Sequence, residues 1–204
     1  MPSTTLILIA ATCLVSFAAF NNARTMEALI LWPPAVERNN DYYRLVSYGL
    51  IHADFGHLLF NMLTLYFFGQ AMERFYHQAL GEFGFLFFYV LGLIASILPT
   101  YLRNRRNASY RSLGASGAVS AVLFAYILLS PWDPLYLYFA IKIPAIVFAA
   151  GYIAYSVYMD KRGGDNVNHS AHLWGAAYGV LFTVAVEPRV FGHFLRALAK
   201  PFAS

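Results

Sequence analysis

The chain has 204 residues, of which 59% are hydrophobic and 12% charged, with a net charge of +4. Soluble domains carry about twice that charge fraction, so the composition excludes an ordinary soluble domain and points to several membrane spans. The small positive charge is too little to argue for nucleic acid and fits juxtamembrane contact with lipid headgroups. Cys13 is the only cysteine, which rules out an internal disulfide and argues against a cysteine-based metal site.

Six apolar segments follow in chain order, at 4–20, 45–71, 83–102, 115–130, 135–159 and 171–186. They are punctuated by Asn21-Asn22, Trp32-Pro33-Pro34, Arg103 to Arg111, Pro131-Trp132-Asp133-Pro134, Gly163-Gly164-Asp165 and Glu187-Pro188. No linker is long enough to divide them. Residues 1–204 are therefore expected to form a single all-α membrane domain of six transmembrane helices. The first segment lacks a basic n-region and a clear small-residue cleavage site, and reads as a retained span rather than a signal peptide. Residues 21–44 are the longest connection, and Trp32, Pro33, Pro34, Tyr42 and Tyr43 mark it as a loop at the membrane interface. The second segment carries His52, Asp54 and His57 in its first third, which a plain lipid-facing helix would not. The fourth is undersized. From Ser116 to Leu129 it has 14 residues, roughly 21 Å of helix against a hydrocarbon core of about 30 Å. It opens on Gly114-Ala115-Ser116-Gly117, so it is expected to begin below the membrane surface, where non-helical backbone is tolerated only beside protein or a wet cavity.

Polar groups inside spans are costly and therefore mark function. Three sets stand out: His57 with Asn61 in the second segment, Ser116 opening the fourth, and His172 opening the sixth. Alternate spans run in opposite directions, so the three even spans run the same way. All three sets lie in the N-terminal parts of those spans, hence toward one side of the membrane. The sixth segment also carries Gly175-x-x-x-Gly179 and the fourth Gly117-x-x-x-Ala121-x-x-x-Ala125, smooth faces that let helix backbones approach. If those faces meet, Ser116 and His172 share one depth on adjacent helices.

The chemistry that fits is nucleophilic acyl transfer. A serine hydroxyl needs a base, and neutral imidazole suits that task near neutral pH. A helix N-terminus at Ser116 favours a developing oxyanion, to which His57 and Asn61, one turn apart on one face, can donate. No carboxylate lies near His172 in a span, so a Ser–His dyad without a third acid is expected. His169 is a rival base but follows Gly163-Gly164-Asp165-Asn166 and is assigned to the loop. His52 is assigned a structural role, and His77 and His193 are placed in solvated connections. Lys142 is expected to snorkel to headgroups. The Arg103–Arg111 group is expected to anchor lipid, its closeness to Ser116 leaving a substrate-loop role open.

These residues together resemble the rhomboid intramembrane serine proteases. His52-x-x-x-x-His57-x-x-x-Asn61, Gly114-Ala115-Ser116-Gly117 and Ala171-His172-x-x-Gly175-x-x-x-Gly179 fall in family order, flanked by Tyr43-Arg44 and Glu73-Arg74. The resemblance implies a six-helix bundle with Ser116 as nucleophile and His172 as general base. It implies an oxyanion hole from His57, Asn61 and the Ser116 N–H. Hydrolysis of peptide bonds in or near a substrate's transmembrane helix, with no metal or organic cofactor, is implied as well. So are a 22–44 loop lying partly in the membrane, and a fifth span and 160–170 loop that gate entry. Many relatives carry an aromatic four residues after the nucleophile, stacked on the base; here that residue is Ser120. The family topology, with a cytoplasmic N-terminus, also places nine of the 14 basic residues outside, against the positive-inside rule. Transmembrane protein substrates and membrane lipids are the expected partners, and a bacterial inner membrane the expected location. A catalytically silent scaffold binding transmembrane helices and a small transporter are the competing functions.

Overall fold

Small residues decide where the helices of this chain can touch. The computed structural model describes residues 3–137 and 140–200. Its helices are α1 (Thr4–Phe20), α2 (Ala23–Leu29), α3 (Pro33–Asn39), α4 (Arg44–Ser47), α5 (Phe55–Leu80), α6 (Gly84–Arg103), α7 (Ser116–Leu129), α8 (Ala145–Arg162), α9 (His169–Val186) and α10 (Arg189–Leu198). A hairpin of β1 (Pro134–Leu137) and β2 (Ile141–Pro144) joins α7 to α8. At the centre stands α7, with every residue from Gly117 to Ala125 buried. Helices α5, α6 and α9 surround it, and α9 comes nearest. A Cβ added at Gly175 would overlap the Gly117 carbonyl, and one at Gly179 the Ala121 carbonyl. The two small-residue faces meet as their spacing predicts.

The distribution of polarity is inverted relative to a water-soluble domain. Leu14, Phe83 and Leu181 are 73%, 70% and 69% exposed, on or beside the outer helices. Thr5, Ser16, His52, Ser96 and Thr183 are buried. These inner groups are paired: Tyr76 shares a 2.6 Å hydrogen bond with Thr183, and Tyr48 donates to the Leu93 carbonyl at 2.7 Å. At one end of the bundle, the Glu73 carboxylate accepts from the backbone N–H groups of Thr4 and Thr5 and from the Ser3 and Thr5 hydroxyls. That carboxylate caps α1, occupying donors that an isolated helix leaves free. By length and hydropathy, one helix among the described residues, α6, is long and apolar enough to cross a bilayer; α1 and α7 are apolar but shorter.

Several segments depart from the expectation. The 135–159 segment does not run as one helix. Its first part is the β-hairpin, with Leu135 opposite Ile143 and Tyr136 opposite Lys142. β-Branched Ile141 and Ile143 favour extended backbone, and Pro144 has no N–H for a helix interior but is tolerated where α8 begins. The 45–71 segment breaks at 51–54. It resumes as α5 where Asp54 Oδ1 accepts from the His57 backbone N–H at 2.8 Å, and it continues to Leu80. Residues 21–44 are not one loop, because Asn22 caps α2 at 3.1 Å and Pro33-Pro34 open α3. His169 is the first residue of α9 rather than part of the preceding loop. His193 lies on α10, an amphipathic helix that was not anticipated, and pairs with the Leu129 carbonyl at 2.9 Å.

The 21–44 region is pinned by specific bonds. Arg44 donates to the carbonyls of Glu27 and Ile30, both at 2.8 Å, and pairs with Asp41. The 103–111 cluster also holds this region. Arg105 grips Glu37 with two bonds of 2.9 and 3.0 Å, Arg111 lies over the Trp32 ring, and Trp32 Nε1 donates to the Ala108 carbonyl. The Arg105 bond, with a second from the Tyr101 hydroxyl, holds the Glu37 carboxyl at about 2 rather than its ordinary 4.5.

Gly179→Val is expected to lower the melting temperature in detergent by roughly 5–10 °C, since overpacking at a backbone contact costs about 2–3 kcal/mol. Gly151→Ala, whose Cβ meets nothing within 4 Å, is expected to raise it by roughly 2–4 °C through helix propensity alone. Because the folded Glu37 carboxyl is more acidic than the unfolded one, its pairing stabilises the fold fully above about 4.5. That contribution fades as pH falls toward about 2. The melting-temperature gap between wild type and Glu37→Gln should therefore be present at pH 7 and close as pH falls through that window.

Candidate active site

The site is assembled from the stretch that leads into α7. Leu31 and Ser112 exchange two backbone hydrogen bonds of 3.0 Å, and the Gly114 N–H donates to the Tyr48 carbonyl at 2.9 Å. Gly114 has φ 108°, where a side chain is strained, and a Cβ there would enter the His57 ring. Glycine is required on both counts. His52 fixes the next residue. The Ser16 hydroxyl donates to the Leu50 carbonyl at 2.9 Å, so it accepts at 2.9 Å from His52 Nδ1–H. That leaves His52 Nε2 to accept the Ala115 N–H at 3.3 Å. His52 is thus fully paired and buried, as its structural assignment requires.

Ser116 is the first residue of α7, and no side chain caps that helix end. The leading N–H groups of a helix have no intrahelical acceptor, so they and the macrodipole face the space beside the Ser116 hydroxyl. Just before α9, Asn168 Oδ1 accepts from the Ala171 N–H at 3.0 Å, while its Nδ2 donates to the Tyr110 hydroxyl at 2.9 Å. This bond ties the start of α9 to the segment leading to Ser116. The Gly117–Gly175 contact completes the alignment. His172 Nε2 lies 2.8 Å from Ser116 Oγ.

A cavity of about 910 Å³ opens at this pair, and His57, Asn61, Ser116 and His172 all line it. The structure therefore brings together all four residues singled out from sequence. Asn61 Nδ2 donates to the His57 carbonyl at 2.9 Å, which uses one amide hydrogen and leaves the other. His169 is buried and its Nε2 is turned to Asp165 Oδ2 at 3.0 Å, not to Ser116. This bond holds the Asp165 carboxyl below the usual carboxylate range. Among the described residues, no carboxylate bonds to His172.

Sequence reasoning missed Tyr152. Its ring, on α8, stacks on that of His172 at 6.0 Å between centroids and 27° between planes. Its hydroxyl lies 2.7 Å from Ser120 Oγ, which in turn donates to the Ser116 carbonyl at 2.8 Å. Ser120 also lines the pocket. The aromatic absent at position 120 is supplied from another helix, and only the tertiary fold brings it there. Asn168 was missed as well, although Asn-His-Ser-Ala-His at the head of an apolar helix is a legible N-cap signal.

The family model described as Rhomboid domain matches residues 39–189. RHOMBOID-like protein 12, mitochondrial, of Arabidopsis thaliana is 34% identical over 152 residues, covering 68% of this chain and 45% of its own length. Putative rhomboid protease YdcA of Bacillus subtilis is 29% identical over 162 residues, 76% of each chain. Rhomboid protease GlpG of Enterobacter sp. is 28% identical over 189 residues, 88% of this chain and 62% of its own. The chain thus spans less than two thirds of the length of the Arabidopsis and Enterobacter relatives. From the order of its motifs, its helical fold and a match over most of its length, the chain belongs to the rhomboid family, helical integral membrane proteins that include serine proteases.

Proposed function

We propose that this chain is an intramembrane serine endopeptidase, a bundle of six spans in one domain, that cleaves peptide bonds in or near the transmembrane helices of other proteins. The observation that carries this is the 2.8 Å contact between Ser116 Oγ and His172 Nε2 at an uncapped helix end. With Nε2 accepting, the neutral ring carries its proton on Nδ1. His172 Nε2 takes the Ser116 proton as Oγ attacks the scissile carbonyl carbon. The carbonyl oxygen becomes an oxyanion, stabilised by the Ser116 N–H, the spare Asn61 amide hydrogen and the His57 ring. Collapse breaks the C–N bond, and His172 passes its proton to the leaving amine. Water, activated by the same imidazole, then hydrolyses the acyl-enzyme and restores Ser116.

The open cavity at the dyad supports this reading, because hydrolysis at membrane depth needs a route for water. The apolar outer surface supports the membrane location. Relatives from Bacillus and Enterobacter fit a bacterial inner membrane, and the mitochondrial relative from Arabidopsis fits an organellar one. The intact, contacting pair argues against the silent-scaffold reading.

Purified wild type and Ser116→Ala, incubated with a single-pass membrane substrate in liposomes, test the assignment. Cleavage is expected to fall by more than about 10³-fold in Ser116→Ala. Unchanged cleavage would sink it.

A further inference from the structure

We propose that Tyr152 positions the base, so that the Ser116–His172 pair is aligned by the helix α8 and not by the nucleophile's own helix. The proposal rests on the peptidase reading above. A base with no carboxylate partner must be oriented by something else, or its ring will turn about χ1 and χ2 and lose the 2.8 Å bond to Ser116 Oγ. The ring of Tyr152 provides that surface, nearly parallel to His172 at 27° and within the separation at which offset aromatic pairs attract. Its own orientation is fixed at both ends. The hydroxyl is held by Ser120 Oγ at 2.7 Å, and the ring lies against Phe124 and Phe148.

The bonds close a circuit. Because Ser120 donates to the Ser116 carbonyl, its oxygen must accept from the Tyr152 hydroxyl. Ser116 Oγ meets His172, His172 meets Tyr152, Tyr152 meets Ser120, and Ser120 returns to the Ser116 backbone. Serine at 120 is what makes the circuit possible. It is too short to reach His172, but it is a hydroxyl acceptor for the ring that does.

Of the long helices α1 and α5 to α9, the circuit passes through the one with the fewest buried residues. In α8 only Ala145, Ala149 and Ser156 are buried, while Val147, Ile153, Tyr155 and Tyr158 are exposed. In α7 burial is nearly continuous. An element with few buried contacts is displaced at low cost. Displacing α8 removes the surface on which His172 rests, so the dyad is aligned when α8 is seated and loosened when it is not.

The test compares wild type, Tyr152→Phe, Tyr152→Leu, and Tyr152→Leu combined with Ser120→Phe, using the single-pass substrate in liposomes and melting temperature in detergent. Tyr152→Leu is expected to lower kcat by about 10²-fold, the scale of a misplaced catalytic group, with KM within about twofold. Tyr152→Phe keeps the stacking surface and is expected to lose less than about tenfold. Ser120→Phe in the Tyr152→Leu background returns an aromatic beside His172 and is expected to recover at least about tenfold in kcat. Wild-type kcat in Tyr152→Leu, with Ser116→Ala inactive, overturns this proposal and leaves the peptidase reading standing. A loss of kcat that follows a lowered melting temperature and is not rescued by Ser120→Phe makes Tyr152 merely structural and also overturns it. A wild type that neither cleaves nor labels with a serine-directed probe overturns the peptidase reading, and this proposal with it.

Discussion

The close approach of α7 and α9 is the constraint on which the rest of the molecule depends. Gly175 lies against the Gly117 carbonyl and Gly179 against the Ala121 carbonyl, with no room for a side chain at either contact. Two contacts one turn apart fix both the separation and the axial register of the helices. That register sets Ser116, the first residue of α7, level with His172, in the first turn of α9. A slip of one turn would displace the pair by about 5 Å, far beyond hydrogen-bond reach. The remaining scaffold serves this alignment. His52, Tyr48 and Leu31 hold the strand-like entry into α7, and Asn168 fastens the start of α9 to the same segment.

Polarity is organised to match. The outer face is apolar and the inner polar groups are largely paired, which is the arrangement expected of helices that contact lipid on one side and one another on the other. Among the described residues, buried polar atoms of Thr12, Tyr89, Thr100 and His169 lack partners, and so does the start of α7. Its N–H groups lack a side-chain cap, and Ser116 lines a cavity shared with His57 and Asn61. An uncapped, buried helix end is costly unless something else satisfies it. On the proposed function, the transition-state oxyanion does so during each turnover.

Much of this was legible in the chain itself. Small residues four apart encode a packing face whatever surrounds them, so Gly117, Ala121, Gly175 and Gly179 could be matched without knowing the fold. Chain direction supplied the common depth of His57, Asn61, Ser116 and His172. What was not legible depended on tertiary contact. Tyr152 is one aromatic among many in an apolar helix, and nothing local marks it as the partner of His172. His169 was left in the loop, two residues short of the expected helix start, because glycines at 163 and 164 suggested a longer loop, whereas Asn168 caps α9 just before it. The β-hairpin was hidden because Ile141 and Ile143 read as well in a buried helix as in a strand, and hydropathy alone does not distinguish the two.

The central claim is that the geometry at Ser116 makes one serine among many unusually nucleophilic, and that His172 is the cause. Peptide mapping after treatment with a fluorophosphonate probe tests this without reference to any substrate. The account predicts a single adduct on Ser116 in the wild-type protein and none in folded His172→Ala. An adduct spread over other serines, or equal labelling of Ser116 in His172→Ala, would contradict it.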